Sequence, residues 1–154
     1  MTMEKDILEI ESDFVESFSF LDTWEEKYEY IIELGKKLPP LEVQYKTEDR
    51  KIRGCQSTVW LAPFYNDGKV FFKADSDAMI VKGLISILIA VLSGHTPDMI
   101  INASLDFIEK IGMHAHLAQT RSNGLRAMVK QMKDYAIAYK EMHEQENYQW
   151  NKKR

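Results

Sequence analysis

The sequence is poor in cysteine, in surplus positive charge and in long apolar runs, and each shortage removes a class of function. A single cysteine, Cys55, stands among 154 residues. It cannot close an internal disulfide, and it excludes CxxC redox pairs and cysteine-rich zinc sites. The thiol is therefore either inert packing or a reactive centre in a reducing compartment. Basic and acidic residues nearly balance, 20 against 24 with a formal net charge of -4, so no basic surface announces DNA or RNA. The longest nearly apolar stretch, Gly83 to Leu92, is too short to span a bilayer, and no membrane segment is expected. The N-terminus, Met1-Thr2-Met3-Glu4-Lys5-Asp6, turns acidic at once and has neither the basic region nor the apolar run of a secretory signal. A cytoplasmic location is the expectation.

What is present fits one globular domain over residues 1–154, since 45% of the residues are hydrophobic and 29% charged. Ile7, Ile10, Phe14, Phe18 and Leu21 recur at helical spacing, and a second helix from Trp24 to about Lys37 opens on the capping-box pattern Thr23-Trp24-Glu25-Glu26 and stops at Pro39-Pro40. Residues from Thr58 to Tyr65 read as a strand, Asn66-Asp67-Gly68 as a hairpin turn, and Lys69 to Ala74 as the returning strand, with Pro63 marking an edge or a bulge. Asp75-Ser76-Asp77 offers N-cap chemistry to an apolar helix from Ala78 to Leu92. Thr96-Pro97 starts a short helix, Leu105 to Ile111 makes another closed by Gly112, and Ser122 opens the last. From about residue 143 the chain reads as a polar tail. The order of helices, small antiparallel sheet and helices again predicts an α+β fold with helices on both sequence sides of the sheet.

Cys55 falls at the joint, just before the hairpin, in a segment of Gly54, Gln56 and Ser57 that reads as a loop tip. Lys51 and Arg53 precede it, and nearby positive charge favours the nucleophilic thiolate, while Gly54 gives the backbone freedom to swing. A lone, mobile thiol beside basic residues is suited to carrying a group.

The segments Gly54-Cys55-Gln56-Ser57 with Val59-Trp60, Trp24-Glu25-Glu26-Lys27-Tyr28 with Ile31 to Pro39, Asp75-Ser76-Asp77-Ala78 with Ile80 to Leu84, and His116-Leu117 with Arg121-Ser122-Asn123-Gly124-Leu125 lie spread along nearly the whole chain. Together they resemble the SufE-type sulfur acceptors of iron-sulfur cluster assembly. Ala118-Gln119-Thr120 departs from the Ser-Pro that many members carry there, and the stretch to about Leu21 matches only loosely. The resemblance implies a SufE/IscU-like fold. It implies that Cys55 takes a persulfide from a pyridoxal-phosphate-dependent cysteine desulfurase, SufS-like or CsdA-like, stimulates it, and delivers sulfur toward an Fe-S scaffold. The acceptor itself needs no cofactor. IscU-type scaffolds need several cysteines, and this chain has one.

Other readings compete at each of these residues. His114 and His116 would share a face of an extended segment and could bind a metal, although no cysteine or acidic cluster adjoins them, so no metal site is expected. Cys55 with His116 would make a hydrolase dyad, but no orienting third residue or oxyanion loop is visible. One of Asp75 and Asp77 is expected to cap the following helix. Arg121 suits two-pronged binding of a carboxylate, with Asp77 as its first candidate partner, and both are expected near the cysteine loop. Trp60 and the helix from Ala78 are expected to wall a closed pocket for the thiol. A non-catalytic adaptor that only docks on a desulfurase is the alternative to a carrier, and the thiol separates them.

Overall fold

Short polar side chains set where the helices begin. In the computed structural model, which describes residues 5–152 with side chains through Glu146, the Asp6 carboxylate accepts from the Glu9 amide at 2.8 Å and starts α1, Ile7–Ser19. Thr23 accepts from the Glu26 amide at 3.1 Å and starts α2, Trp24–Lys36. The Glu26 carboxylate reaches one residue further back than the capping box requires, accepting from the Asp22 amide at 3.0 Å.

The hairpin forms as β1, Val59–Asn66, and β2, Lys69–Ser76, in one unbroken antiparallel register from Val59 opposite Ser76 to Asn66 opposite Lys69. Asp67 and Gly68 both have positive φ, 52° and 77°, the geometry that matches a two-residue turn to the twist of its strands. Pro63 lies opposite Phe72, whose amide donates outward to Ser93 Oγ at 3.0 Å. That pair is therefore one of the positions where neither amide points across the ladder, and the edge placement needs no bulge.

The central helix α3, Met79–Leu92, buries Ile80, Val81, Leu84, Ile85, Ile87, Leu88, Val91 and Leu92. It crosses α2 at very short range, for a Cβ on Gly83 would fall 2.2 Å from the Ile31 carbonyl oxygen and one on Gly35 2.6 Å from the Gly83 nitrogen. The expected aspartate cap is absent. Ala78 is the N-cap residue and makes no side-chain capping bond, while β2 extends through Asp75 and Ser76 and leaves both as strand residues.

Thr96 caps α4, Pro97–Asn102, and Gly112 closes α5, Phe107–Ile111, in the left-handed conformation at φ 88°. Two departures follow. Residues Met113–His116 form a short helix, α6, so the extended geometry in which His114 and His116 would share a face is not adopted. The last helix, α7, runs Gln119–Lys152, so it begins three residues before Ser122, which is buried inside it, and it continues through the segment read as a tail. Leu125, Met128, Met132 and Ala136 of α7 are buried and close the core over α3 and the sheet. Among the described residues no helix is long and apolar enough to cross a membrane.

Candidate functional site

The loop around Cys55 is pinned by backbone and side-chain hydrogen bonds at both ends. Upstream, the Ile52 amide donates to the Val59 carbonyl at 2.9 Å, and Lys51 bridges to Trp60. Downstream, the Thr58 amide donates to Asp77 Oδ1 at 3.1 Å, the Asp77 amide returns to the Thr58 carbonyl at 3.3 Å, and Ser76 Oγ donates to that carbonyl at 2.8 Å. Between these anchors Gly54 takes φ 94°, a conformation that an L side chain rarely adopts. Asp77 is thus an anchor of the loop and not a helix cap. Its neighbour Asp75 has no capping role either: its carboxylate meets Lys46 at 3.2 Å and Lys82 at 3.4 Å and accepts from the Ser76 and Leu41 amides.

Cys55 points back against the protein. Its thiol donates to the Gly124 carbonyl at 3.6 Å, within the range for sulfur, and it borders a recess of about 80 Å³. Gln56 and Ser57 come from the loop, Val81 and Leu84 from α3, and Thr120, Arg121, Gly124 and Met128 from α7. The α7 backbone comes close to the thiol here, for a Cβ on Gly124 would stand in ordinary contact with Sγ at 3.5 Å. Trp60, expected as a wall, takes no part in the recess; its ring lies under the Lys46 ammonium at 5.3 Å. The helix expected to supply the other wall does so through Val81 and Leu84.

Burial pushes the Cys55 thiol above its ordinary value, so in this state it is held protonated. The activation expected from Lys51 and Arg53 does not operate here. Lys51 is engaged by Glu48 at 2.7 Å, Arg53 is exposed, and desolvation alone accounts for the direction of the shift.

Arg121 is beside the cysteine, as expected, but its partner differs. The guanidinium donates to the Tyr28 hydroxyl and lies 5.6 Å over that ring, so Asp77 is not its partner. The two histidines also separate. On α6 a spacing of two places them on different faces. His116 stacks on Trp24 at 4.5 Å, and His114 borders another cleft with Leu105, Arg126 and Lys133. Neither lines the recess, which removes the geometry of a Cys-His dyad, and among the described residues no group of His, Cys, Asp or Glu is placed to hold a metal.

Reading the sequence missed Tyr28, Val81, Leu84, Thr120, Gly124 and Met128 as parts of this site. A signal existed on α7, where Arg121, Gly124 and Met128 recur at three and four residues, the spacing of one helix face.

The family model described as SufE: Fe-S metabolism associated domain matches residues 12–136. An uncharacterized SufE-like protein of Rhizobium meliloti (strain 1021) is 41% identical over 127 residues, 79% of this chain and 91% of the relative. One from Rhizobium etli is 43% identical over 129 residues, covering 79% and 86%. One from Synechocystis sp. is 39% identical over 125 residues, covering 81% and 79%. The solution structure of a hypothetical protein from Thermus thermophilus superposes with a TM-score of 0.70 at 21% identity over 84% of this chain and 94% of that one, which establishes a shared fold.

Proposed function

The chain belongs to the SufE family of Fe-S metabolism associated domains, and from that premise we propose that Cys55 is a sulfur carrier, loaded by a cysteine desulfurase for iron-sulfur cluster assembly. The observation that carries the reading is the only thiol of the chain, set at a glycine-hinged loop tip and turned into a small recess. Inert packing would not need a loop. In the transfer, the Cys55 thiolate attacks the terminal sulfur of the desulfurase persulfide; a bond forms between the two sulfurs, the old sulfur-sulfur bond breaks, and the desulfurase thiolate leaves with its electron pair. No resolving cysteine is present to release the cargo as a disulfide.

The recess gives this chemistry two states. In the closed state the thiol is neutral and screened by Val81, Leu84 and Met128, which protects a bound sulfur from stray thiols. In the docked state the loop turns outward into the desulfurase, which must bind that form more tightly than the closed one. Asp77 keeps the downstream anchor in place, and Arg121 belongs to the rim presented to the enzyme.

Intact mass spectrometry after incubation with a desulfurase and free cysteine tests the proposal. Cys55 should gain one or more sulfur atoms, removable by a thiol reductant, and Cys55→Ser should fold but neither gain mass nor stimulate turnover. Full stimulation by Cys55→Ser would instead establish an adaptor. An unmodified mass during active turnover would remove the carrier reading.

A further inference from the structure

Among the described residues Arg121 is the only charged side chain bordering the Cys55 recess, yet its guanidinium rests on a neutral partner, the ring and hydroxyl of Tyr28. Among the described residues it makes no ion pair. We propose that Tyr28 is a parking site for Arg121, and that Arg121 leaves it to become the counter-ion of the perthiolate when Cys55 is loaded. The inference rests on the reading of Cys55 as a sulfur carrier and adds a positioning residue, Tyr28, to it.

Loading changes the charge of the site. An unloaded, half-buried thiol is neutral, so the recess needs no cation in the resting state. A perthiol is more acidic than its parent thiol, because the added sulfur spreads the negative charge, so loading makes the same recess anionic. A partly desolvated anion requires a compensating charge or a donor. Walls made by Val81, Leu84 and Met128 supply neither, and the carbonyl of Gly124 is an acceptor that faces the sulfur unfavourably once it is anionic. Gln56, Ser57 and Thr120 can donate hydrogen bonds but carry no charge. Asp77 has the wrong sign and is occupied with the Thr58 amide, and Arg53 does not border the recess.

Arg121 has the right placement. It precedes Gly124 by three residues on α7, so it lies one helical turn from the carbonyl that the thiol contacts, on the same face. Tyr28 fits the parking role because its hold is made of a cation over a ring and one hydrogen bond, contacts that an anion can outcompete. Its position is fixed by α2, where Trp24, one turn earlier, stacks on His116 at 4.5 Å and 19° and locks the chain leading into α7. Holding the cation away from the unloaded thiol also leaves that thiol protonated and unreactive.

The test loads Cys55 with inorganic polysulfide, without any desulfurase. The thiolate attacks a terminal sulfur of the polysulfide dianion, one sulfur-sulfur bond breaks, and a dianion shorter by one sulfur leaves. Alkylation of the loaded and unloaded protein by iodoacetamide is then followed against pH in wild type, Arg121→Gln and Tyr28→Phe. Arg121→Gln should raise the acid midpoint of the loaded form by about one pH unit or more while leaving the unloaded thiol unchanged. Tyr28→Phe should hold or lower the loaded midpoint, because the cation is released and not lost. A shift of both forms alike in Arg121→Gln, or a rise in Tyr28→Phe, would overturn the proposal. The nitrogen resonance of the Arg121 side chain in the wild-type protein is an independent readout. It should move on loading, and a resonance that does not move refutes the exchange even if a variant fails to fold. The polysulfide route separates the two readings, because failure of a desulfurase to load Cys55 leaves this result standing.

Discussion

Replacing Gly124 by alanine should make the protein more stable and a poorer sulfur acceptor. Gly124 lies inside α7, where glycine costs about 0.5–1 kcal/mol relative to alanine. The added Cβ would lie 3.5 Å from Cys55 Sγ, 3.8 Å from its Cα and 3.9 Å from its Cβ, all ordinary contact distances with no backbone clash. Burying that methyl adds up to about 0.8 kcal/mol. The sum, roughly 0.5–1.8 kcal/mol, corresponds to a rise in Tm of about 1–7 °C for a chain of this size. The effect on cargo has the opposite sign. A second sulfur must be placed about 2.05 Å from Sγ, and with the methyl already in contact with Sγ the side of the 80 Å³ recess toward α7 is closed to it. Loading by polysulfide or by a desulfurase, followed by intact mass at early times, should slow severalfold while the melting curve moves up. A lower Tm would refute the clearance worked out at Gly124. A higher Tm with wild-type loading would refute the placement of the terminal sulfur against α7.

Gly83→Ala should be the most damaging small substitution in the fold, because its Cβ would fall 2.2 Å from the Ile31 carbonyl oxygen and neither backbone can yield without moving a helix. The expected loss is about 3 kcal/mol or more despite the better helix propensity, read as a drop in denaturation midpoint, and a loss under about 1 kcal/mol would contradict the close crossing of α2 and α3. Asp75→Asn should cost roughly 2–4 kcal/mol near neutral pH, since it leaves Lys46 and Lys82 without their shared carboxylate, discounted because both lysines are partly solvated. Burial by itself would raise the Asp75 value, but the Ser76 amide, Lys46, Lys82 and the Leu41 amide outweigh it and hold the group below the usual carboxylate range. Its stabilisation is therefore present above the unfolded carboxylate value and lost as pH falls through the folded one. The gap between wild type and Asp75→Asn in denaturant titrations should close in acid, and a gap constant with pH would rule out the ion pairs as its source.

Where a local rule was sufficient, the sequence was enough. Asp67-Gly68 specified a two-residue hairpin, Thr23 and Thr96 specified helix starts, and Gly112 specified a stop, because each depends only on neighbours within a turn. The failures share a different cause. Asp75-Ser76-Asp77 has the chemistry of a cap, but Asp75 answers to Leu41, 34 residues away, and to Lys46, and Asp77 answers to Thr58 across the hairpin. Ser122 looked like a start signal and is buried inside α7, which the chain enters earlier through Gln119. At the site, Cys55 was legible from its uniqueness and its Gly-flanked setting. The wall from α3 was legible as a helix but not by residue, and the wall from α7 was not legible, since Thr120, Gly124 and Met128 reach the thiol only through the packing of α7, and Tyr28 meets Arg121 across 93 positions of sequence.

The two anchors of the cysteine loop decide how much a docking enzyme must supply. If opening required the Ile52–Val59 and Thr58–Asp77 bonds to break, the loop would leave only with part of the sheet, and the cost would approach that of unfolding. With both anchors kept, opening loses one weak thiol hydrogen bond and the burial of part of one small side chain, about 1–2 kcal/mol. That difference populates the open loop at roughly one part in 5–30, and a desulfurase needs only a matching differential affinity to reverse it. The same figure sets the reactivity of the free protein. Alkylation of Cys55 by a small reagent should run roughly 5–30 times slower than in the denatured chain, with the raised thiol value slowing it further. A rate equal to the denatured control would mean an open thiol and no closed state. Protection that rises and falls with global stability across denaturant would mean that the anchors open with the loop.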